Sequence, residues 1–183
     1  MGSFYSRLVA VCGLSLQVSA GFAACAPESL EVRGPNGVQH FSVEVADTGA
    51  ERSQGLMFRE KMATSAGMIF VYDAPTHAQF WMRNTLIPLD MIFADAKGRV
   101  TRVHSNAIPH DETPIDGGQG VQFVVEINGG LAKRMGITEG AELRHPSIEQ
   151  SAAVWPCAGE LGDADAEEEE EAAAASPAAA MAS

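Results

Sequence analysis

The sequence predicts a mainly β fold, a small sandwich or barrel with two short helices. Short apolar runs recur along the chain, and turn-forming Gly, Pro, Asn and Asp residues separate them. In one run, Phe41, Val43 and Val45 alternate with polar or small residues, which is the period of a strand with one buried face. Short strands at regular spacing are typical of β-sandwiches and barrels.

The first predicted elements are a strand at residues 30–33, the alternating strand around Phe41–Val45, and a short helix. The helix is expected to begin at Thr48, because Thr48 and Glu51 have the T-x-x-E spacing of a capping box, in which each side chain satisfies the other's backbone. Gly55 is placed to end it. Further strands are predicted at residues 67–72, 79–82, 89–94, 99–104, 121–127 and 141–144.

The second half of the chain adds a long loop and a second helix. Residues 106–120 combine prolines, glycines and acidic residues, and this composition indicates a loop. Residues 131–135 predict a short helix, with Gly136 at the position that commonly ends one. No internal repeat is present.

Residues 1–25 have the features of an export signal. Arg7 supplies a positive charge, an apolar stretch follows it, and small residues near Ala24 offer a cleavage site. The stretch is short for a membrane span, so we expect none in the mature chain and expect a periplasmic or secreted protein. Two alternatives are a buried N-terminal helix and a lipoprotein acylated on Cys25.

Two cysteines, Cys25 and Cys157, would remain in the exported chain. An even pair at the two ends of an exported domain predicts one disulfide that ties the termini together. In the chain-entropy model, closing a loop of about 130 residues stabilises by at most about 5 kcal/mol. The alternative is two unpaired thiols, or a lipidated Cys25 and a lone Cys157.

Acidic residues are concentrated in the C-terminal segment 158–183. The chain has a net charge of −12, and this segment holds eight acidic residues and no Lys or Arg. The remainder carries 24 − 8 = 16 acidic and 12 basic residues, a net charge of −4. It therefore lacks the basic surface that nucleic acid attracts, and we expect no nucleic-acid partner. The segment itself is expected to be disordered, which leaves residues 26–157 as a single domain.

Three long motifs identify a family. They are R-S-Q-G-L-M-F-R-E at 52–60, F-W-M-R-N-T-L-I-P-L-D-M-I-F at 80–93 and V-E-I-N-G-G-L-A-K-R-M-G-I-T-E-G at 125–140, and a G-M-I-F run lies between the first two. Over residues 29–146 the chain closely resembles the prokaryotic family called domain of unknown function 192. The resemblance implies a compact β-rich domain with jelly-roll character, often exported, and it brings no established activity.

Asp90 is the clearest candidate site residue. Strand alternation places Asp90, Ile92 and Ala94 on one face and Leu89, Met91 and Phe93 on the other, so Asp90 is expected to be buried. A buried carboxylate needs a cation or backbone donors, and Arg52 and Arg59 are the natural partners. We interpret this group first as a structural ion pair that locks the first helix to the sheet. One wall of a ligand site is the alternative.

Trp81, Arg83, Asn84 and Thr85 form a second candidate group. An aromatic ring beside amide, hydroxyl and guanidinium donors could bind a sugar or a peptide, although a core Trp is equally compatible with the pattern. Five methionines between residues 57 and 91 could bind Cu(I), but Met also fills irregular cores, and core packing is the favoured interpretation. These methionines are Met57, Met62, Met68, Met82 and Met91.

We therefore expect a non-catalytic binding or accessory module of the cell envelope. Its partner would be a small polar ligand or an envelope component. An enzyme that acts on an envelope polymer through Asp90 and Arg52 is the first alternative, and a copper-handling protein that uses the methionines is the second. The sequence contains no nucleotide, phosphate-loop or metal-protease motif, so no cofactor is predicted.

Overall fold

The computed structural model describes residues 25–157. The predicted signal before Cys25 and the predicted disordered segment 158–183 lie outside the described residues. Seven strands and two helices follow in chain order: β1 Ser29–Gly34, β2 Gly37–Ala46, α1 Gly49–Gln54, β3 Ala66–Phe80, β4 Leu89–Ala94, β5 Val100–Ala107, β6 Ile115–Asn128, α2 Leu131–Met135 and β7 Glu142–Arg144. Neither helix is long and apolar enough to cross a membrane in this described part.

The strands form one curled sheet in the order β5-β4-β6-β3-β2-β1-β7, which confirms the mainly β prediction. Neighbouring strands are antiparallel except β2 and β3, which run parallel. The two edge strands, β5 and β7, meet at one point. Arg99, just before β5, forms a β-bridge with Glu142 of β7, and the Val100 N–H donates to the Ala141 carbonyl at 2.8 Å. These contacts draw the edges together and give the sheet a half-barrel shape.

Each face of the sheet carries its own hydrophobic core. Ile92 and Ala94 of β4 face the larger core, together with Phe41 of β2 and residues from α2 and β7. Leu89, Met91 and Phe93 of the same strand face the second core with Phe70 and Met82. All of these side chains are at most 2% exposed. The alternation predicted for residues 89–94 is therefore confirmed, and β4 is buried on both faces.

Two sequence predictions about strand limits were wrong. Residues 79–82 were expected to be a separate strand and 106–120 a loop, whereas β3 continues to Phe80 and β6 already begins at Ile115. The register between β3 and β6 shifts three times over this stretch. Such bulges accommodate Pro75, which has no N–H to donate, and the left-handed backbone of Gly118. Residues typical of turns therefore lie within the irregular but hydrogen-bonded pairing of β3 with β6.

The predicted cap of α1 is present in full. The Glu51 N–H donates to the Thr48 hydroxyl at 3.2 Å, and the Thr48 N–H donates to the Glu51 carboxylate at 3.0 Å. Gly55 ends the helix at a positive φ of 48°. Adding a Cβ there would bring it within 3.1 Å of the Phe70 ring, so this glycine lets the helix end approach the second core closely.

A disulfide joins Cys25 and Cys157, as predicted from the cysteine count. Trp155 packs beside it against β1 and β7, with its ring 4.4 Å from the Arg33 guanidinium and 4.3 Å from that of Arg144. The covalent link and these two cation–π contacts hold both ends of the described chain on the same side of the sheet.

Candidate functional site

Asp90 is a structural carboxylate. Its side chain is 0% exposed and accepts three backbone hydrogen bonds, from the N–H groups of Asn106 at 2.6 Å, Gly130 at 2.7 Å and Ala132 at 2.7 Å. Two of these donors belong to the start of α2, where Gly130 has no side chain with which to cap the helix. Asp90 therefore caps α2 from a neighbouring strand, and the prediction that it is buried is confirmed.

The prediction that Asp90 pairs with an arginine was wrong. Arg59 forms a two-pronged ion pair with Glu44, with N···O distances of 2.5 and 2.9 Å. Arg52 donates to the backbone carbonyls of Val71, at 2.8 Å, and Asp47. Backbone N–H groups bind Asp90 instead of a cation, because the turn before α2 lies directly beside the start of β4.

A cavity of about 200 Å³ lies between α1 and the sheet, on the face of the second core. Its wall combines apolar rings with polar side chains. The lining residues are Arg52, Ser53, Gln54, Gly55, Leu56, Met57, Phe70, Tyr72, Gln79, Phe80, Trp81, Thr85 and Glu126. Small-molecule sites usually combine apolar rings with a few converging polar groups, and this wall contains both.

Glu126 lies deepest in the sheet among the charged residues of this cavity. It belongs to the central strand β6, directly between Met68 of β3 and Met91 of β4. Its side chain is only 5% exposed, and its carboxyl group has no hydrogen-bond partner among the described residues. Every fully buried side-chain oxygen or nitrogen in the described residues has a partner, so the Glu126 oxygens keep contact with the open space of the cavity. Burial raises the pKa of Glu126 to about 8, so the group is mostly neutral at pH 7.

Tyr72 and Arg52 also line the cavity. The Arg52 guanidinium lies 5.1 Å from the centre of the Tyr72 ring. Burial raises the pKa of Tyr72, the positive charge of Arg52 opposes that shift, and the charge of Glu126 adds to it. Tyr72 is therefore within electrostatic reach of both charged residues of the cavity.

Of the seven residues predicted as ligand candidates, Arg52, Trp81 and Thr85 line the cavity. Trp81 is 47% exposed and is not a core residue. The guanidinium of Arg83 lies 5.7 Å from its ring and outside the cavity lining.

The other candidates lie apart from the cavity. The Asn84 carbonyl accepts a hydrogen bond from the Phe58 N–H at 2.8 Å, so Asn84 holds the loop beside the cavity. Asp90 belongs to the opposite face of the sheet, and Arg59 to the exposed pair with Glu44. The structure thus divides the predicted group and keeps only its part around Trp81 together with Arg52.

Sequence reasoning missed the principal residue, Glu126, and with it Tyr72 and Gln79. The signal for Glu126 was present, because a charged residue interrupts the apolar run V-Q-F-V-V-E-I at 121–127, just as Asp90 interrupts its own strand. No comparable signal marks Tyr72 or Gln79, since an aromatic and an amide residue near a strand end are ordinary.

The predicted methionine cluster surrounds the same region. Met68, Met82 and Met91 are between 0 and 7% exposed and pack in the second core, and Met57 lines the cavity. Their packing matches the predicted role as core filler. Within residues 25–157, no three His, Cys, Asp or Glu side chains are grouped so that they could hold a metal ion.

The described domain is thus a half-barrel in which a small cavity with polar and aromatic walls lies beside the Glu126 carboxyl group. The chain belongs to the family DUF192, described as "Uncharacterized ACR", which matches residues 31–145. No curated protein matches it at a significant level.

Two crystal structures are similar to this chain. A protein of unknown function from Novosphingobium aromaticivorans DSM 12444 is 42% identical, with a TM-score of 0.63, and the match covers 72% of this chain and 98% of that one. A candidate transcription regulator from Sinorhizobium meliloti 1021 is 37% identical, with a TM-score of 0.62, covering 67% of this chain and 96% of that one.

Proposed function

We propose that this protein is a non-catalytic binding module that takes a small polar ligand into the Glu126 cavity. One observation carries the proposal: a carboxyl group on a side chain only 5% exposed, without a hydrogen-bond partner in the described part of the chain, lines a cavity of about 200 Å³. Burial raises the pKa of this group to about 8, because the carboxylate is poorly hydrated there. A ligand that supplies a hydrogen-bond partner compensates for the lost hydration on binding.

The remaining wall suits recognition of a small molecule. Phe70, Phe80 and Trp81 offer ring faces and edges, and Arg52 and Gln79 offer hydrogen-bond donors. Measured against the volume of liquid water, the cavity has room for about seven water molecules, so its occupant is small. Because Trp81 is half exposed at the rim, the ligand enters from solvent past an aromatic surface.

An enzyme is the second candidate, now centred on Glu126 instead of Asp90. A carboxyl group that stays protonated near neutral pH is the kind of group that serves as a general acid. A hydrolase would also need a nucleophile or a second acid, and the cavity lining contains only the hydroxyls of Ser53, Thr85 and Tyr72 and no histidine. We therefore place binding ahead of catalysis.

We further propose that the protein works outside the cytoplasm, as a periplasmic or secreted component of the cell envelope. The Cys25–Cys157 disulfide supports this, because such bonds persist in oxidising compartments. The signal-like residues before Cys25 support it independently.

A role in binding nucleic acid finds no support in the charge. The described residues 25–157 contain 11 Lys and Arg against 16 Asp and Glu, a net charge of −5. Nucleic-acid binding depends on neutralising phosphates with basic side chains. The regulator description of the Sinorhizobium relative is therefore not extended to this chain.

A ligand screen by thermal shift tests the proposal, because a ligand at 100 times its Kd raises stability by about 2.7 kcal/mol. The purified protein and its Glu126→Gln variant would be screened against small sugars, amino acids, amines and carboxylic acids. Glu112→Gln, which changes an exposed loop carboxylate, is the matched control.

We expect at least one compound to raise the melting temperature of the wild type and of Glu112→Gln but not of Glu126→Gln. Hits that shift all three proteins equally would place the binding site elsewhere and contradict the proposal. Turnover of a hit compound, lost in Glu126→Gln, would favour the enzyme instead.

A further inference from the structure

We propose that the ligand carries both a protonated amine, which binds Glu126, and a carboxylate, which binds Arg52. The inference rests on the proposed function and names the chemical class of its ligand, an amino acid or a similarly small zwitterion. It follows from two charged side chains that share one cavity and form no ion pair with each other or with any other described residue.

At the Glu126 end, the group that the neighbouring strands do not supply is a hydrogen-bond donor. The two strand neighbours of Glu126 are methionines, which have no N–H or O–H to offer. A divalent metal ion would need several oxygen or nitrogen ligands, and the described residues contain no such group. A single carboxylate within an apolar wall instead matches an organic ammonium group, which brings three N–H donors and one positive charge.

At the Arg52 end, the guanidinium is held in place but not neutralised. One terminal nitrogen, Nη1, donates to the Val71 and Asp47 carbonyls, and the guanidinium lies beside the Tyr72 ring. Nε and Nη2 make no hydrogen bond within residues 25–157 and can form the fork that binds a carboxylate. Arg59 lacks this freedom, because Glu44 already occupies both of its terminal nitrogens.

The two ends are separate positions, as a zwitterion requires. Arg52 and Glu126 form no salt bridge, so no Glu126 oxygen lies within 4.0 Å of an Arg52 nitrogen. Both residues nevertheless influence the pKa of Tyr72, so both lie near its hydroxyl group. The volume of about 200 Å³ suits a ligand of roughly the size of an amino acid. A ligand with only one charge would leave the other side chain without a partner.

Binding of an amine should displace a proton. Free Glu126 is mostly protonated at pH 7, and the ligand arrives as R–NH3⁺; in the complex the carboxylate faces R–NH3⁺, so the carboxyl proton passes to solvent. About one proton is released for each ligand bound. A ligand that uses a carbonyl oxygen to accept a hydrogen bond from neutral Glu126 would release none.

Isothermal calorimetry on the purified protein, repeated in buffers of different ionisation enthalpy, counts the protons released. The probes are glycine, 3-aminopropanoate, 4-aminobutanoate, 5-aminopentanoate and the amino acids leucine and lysine, which vary the distance between the two charges and the apolar bulk. Each probe is matched by its N-acetyl derivative, which keeps the carboxylate and removes the amine charge. Each is also matched by its amide, which keeps the amine and removes the carboxylate.

We expect one or more amino acids to bind with release of about one proton, and their N-acetyl and amide derivatives to bind at least tenfold more weakly. Glu126→Gln should abolish the proton release and weaken binding at least tenfold. Arg52→Gln should remove the preference for the acid over its amide. Arg83→Gln, which removes a cation outside the cavity lining, is the control and should bind as the wild type does.

Two results would overturn the inference in different ways. Tight binding of N-acetyl compounds or neutral sugars, sensitive to Glu126→Gln and without proton release, would contradict the zwitterion and leave the binding function standing. Failure of every compound in this series and in the wider screen to bind in a Glu126-dependent manner would contradict both.

Discussion

Asp90 and Glu126 are carboxyl side chains on the neighbouring strands β4 and β6, and both are at most 5% exposed. Asp90 points to the larger core and accepts three backbone hydrogen bonds. Glu126 pairs with Met68 and Met91, which pack in the second core, and its carboxyl group accepts no hydrogen bond within the described residues. The same chemical group is therefore an anchor on one face of the sheet and, in the function we propose, the ligand-binding group on the other.

The contrast shows that burial alone does not mark a functional carboxylate. What separates the two residues is the number of donors that the fold supplies. Three backbone N–H groups compensate Asp90 for its lost hydration, so nothing is left to offer a ligand. Glu126 receives no such compensation, and burial therefore raises its pKa.

The largest expected effect is the loss of stability when Asp90 is removed. Asp90→Ala leaves three buried N–H groups without an acceptor and uncaps α2, so we expect it to lower the free energy of unfolding by about 3–5 kcal/mol. Asp90→Asn keeps one acceptor oxygen and should cost about half as much. Asp73→Ala, at an exposed position in the β3 bulge, is the control. Denaturant melts measure all three, and a wild-type-like Asp90→Ala would contradict the structural role.

The next effect is a dependence of stability on pH that belongs to Glu126. Its pKa rises from about 4.5 unfolded to about 8 folded, so between these values the folded protein binds more protons than the unfolded chain. Stability should therefore be greatest below pH 4.5 for this group and fall as the pH rises to 8, by up to about 1.4 kcal/mol per pH unit.

The difference between wild type and Glu126→Gln isolates this dependence. Burial lowers the pKa of His145, so that group makes stability increase with pH up to about 6.5, in the opposite sense. It contributes equally to both proteins and cancels in the difference. In melts at pH 5, 6, 7 and 8, the free energy of unfolding of Glu126→Gln should increase relative to that of the wild type at each step. Parallel curves would show that Glu126 ionises normally.

A smaller effect is expected for Glu126→Gln at a single pH. At pH 4, below both pKa values, the wild-type carboxyl group is mostly protonated in the folded and in the unfolded protein and is close in shape to an amide, so the two proteins should differ by less than about 1 kcal/mol. This prediction is the direct counterpart of Asp90→Asn. A loss of 3 kcal/mol or more would show that Glu126 holds the fold together, as Asp90 does.

The smallest effect concerns Arg59, which was expected from the sequence to hold Asp90. Its pair with Glu44 is largely exposed, with 34% and 56% of the two side chains accessible, so solvent screens the attraction. Arg59→Ala should cost no more than about 1 kcal/mol. If Arg59 instead paired with a buried Asp90, as the sequence suggested, Arg59→Ala would cost about 3–5 kcal/mol, and a loss of that size would support that pairing.

Much of the fold could be predicted from the sequence because its signals are local. The capping box at Thr48 and Glu51, the alternation at 89–94 and the cysteine pair each depend on short-range geometry or on simple pairing, and each is present. The limits of β3 and β6 could not be predicted, because bulges around Pro75 and Gly118 keep turn-forming residues inside a ladder.

The candidate site was only partly predictable. Sequence reasoning identified Arg52, Trp81 and Thr85, which line the cavity. It wrongly paired Arg52 with Asp90, because strand alternation predicts which residues share a face of the sheet but not which side chains contact each other. The donors to Asp90 are backbone groups, which carry no side-chain signal. The position of Glu126 between two methionines depends on the pairing of β6 with both β3 and β4. These strands are far apart in the sequence, so no local sequence pattern predicts the pairing.

The most direct test of the distinction between the two carboxyl groups is a side-chain carbon NMR titration of the purified protein. Selective labelling of the Glu and Asp carboxyl carbons, with Glu126→Gln to assign the resonance, would follow Glu126 from pH 4 to pH 10. The account predicts that one Glu resonance titrates near pH 8 and is missing from the variant. A Glu126 resonance that titrates between pH 4 and 5, in the range of exposed glutamates, would contradict it.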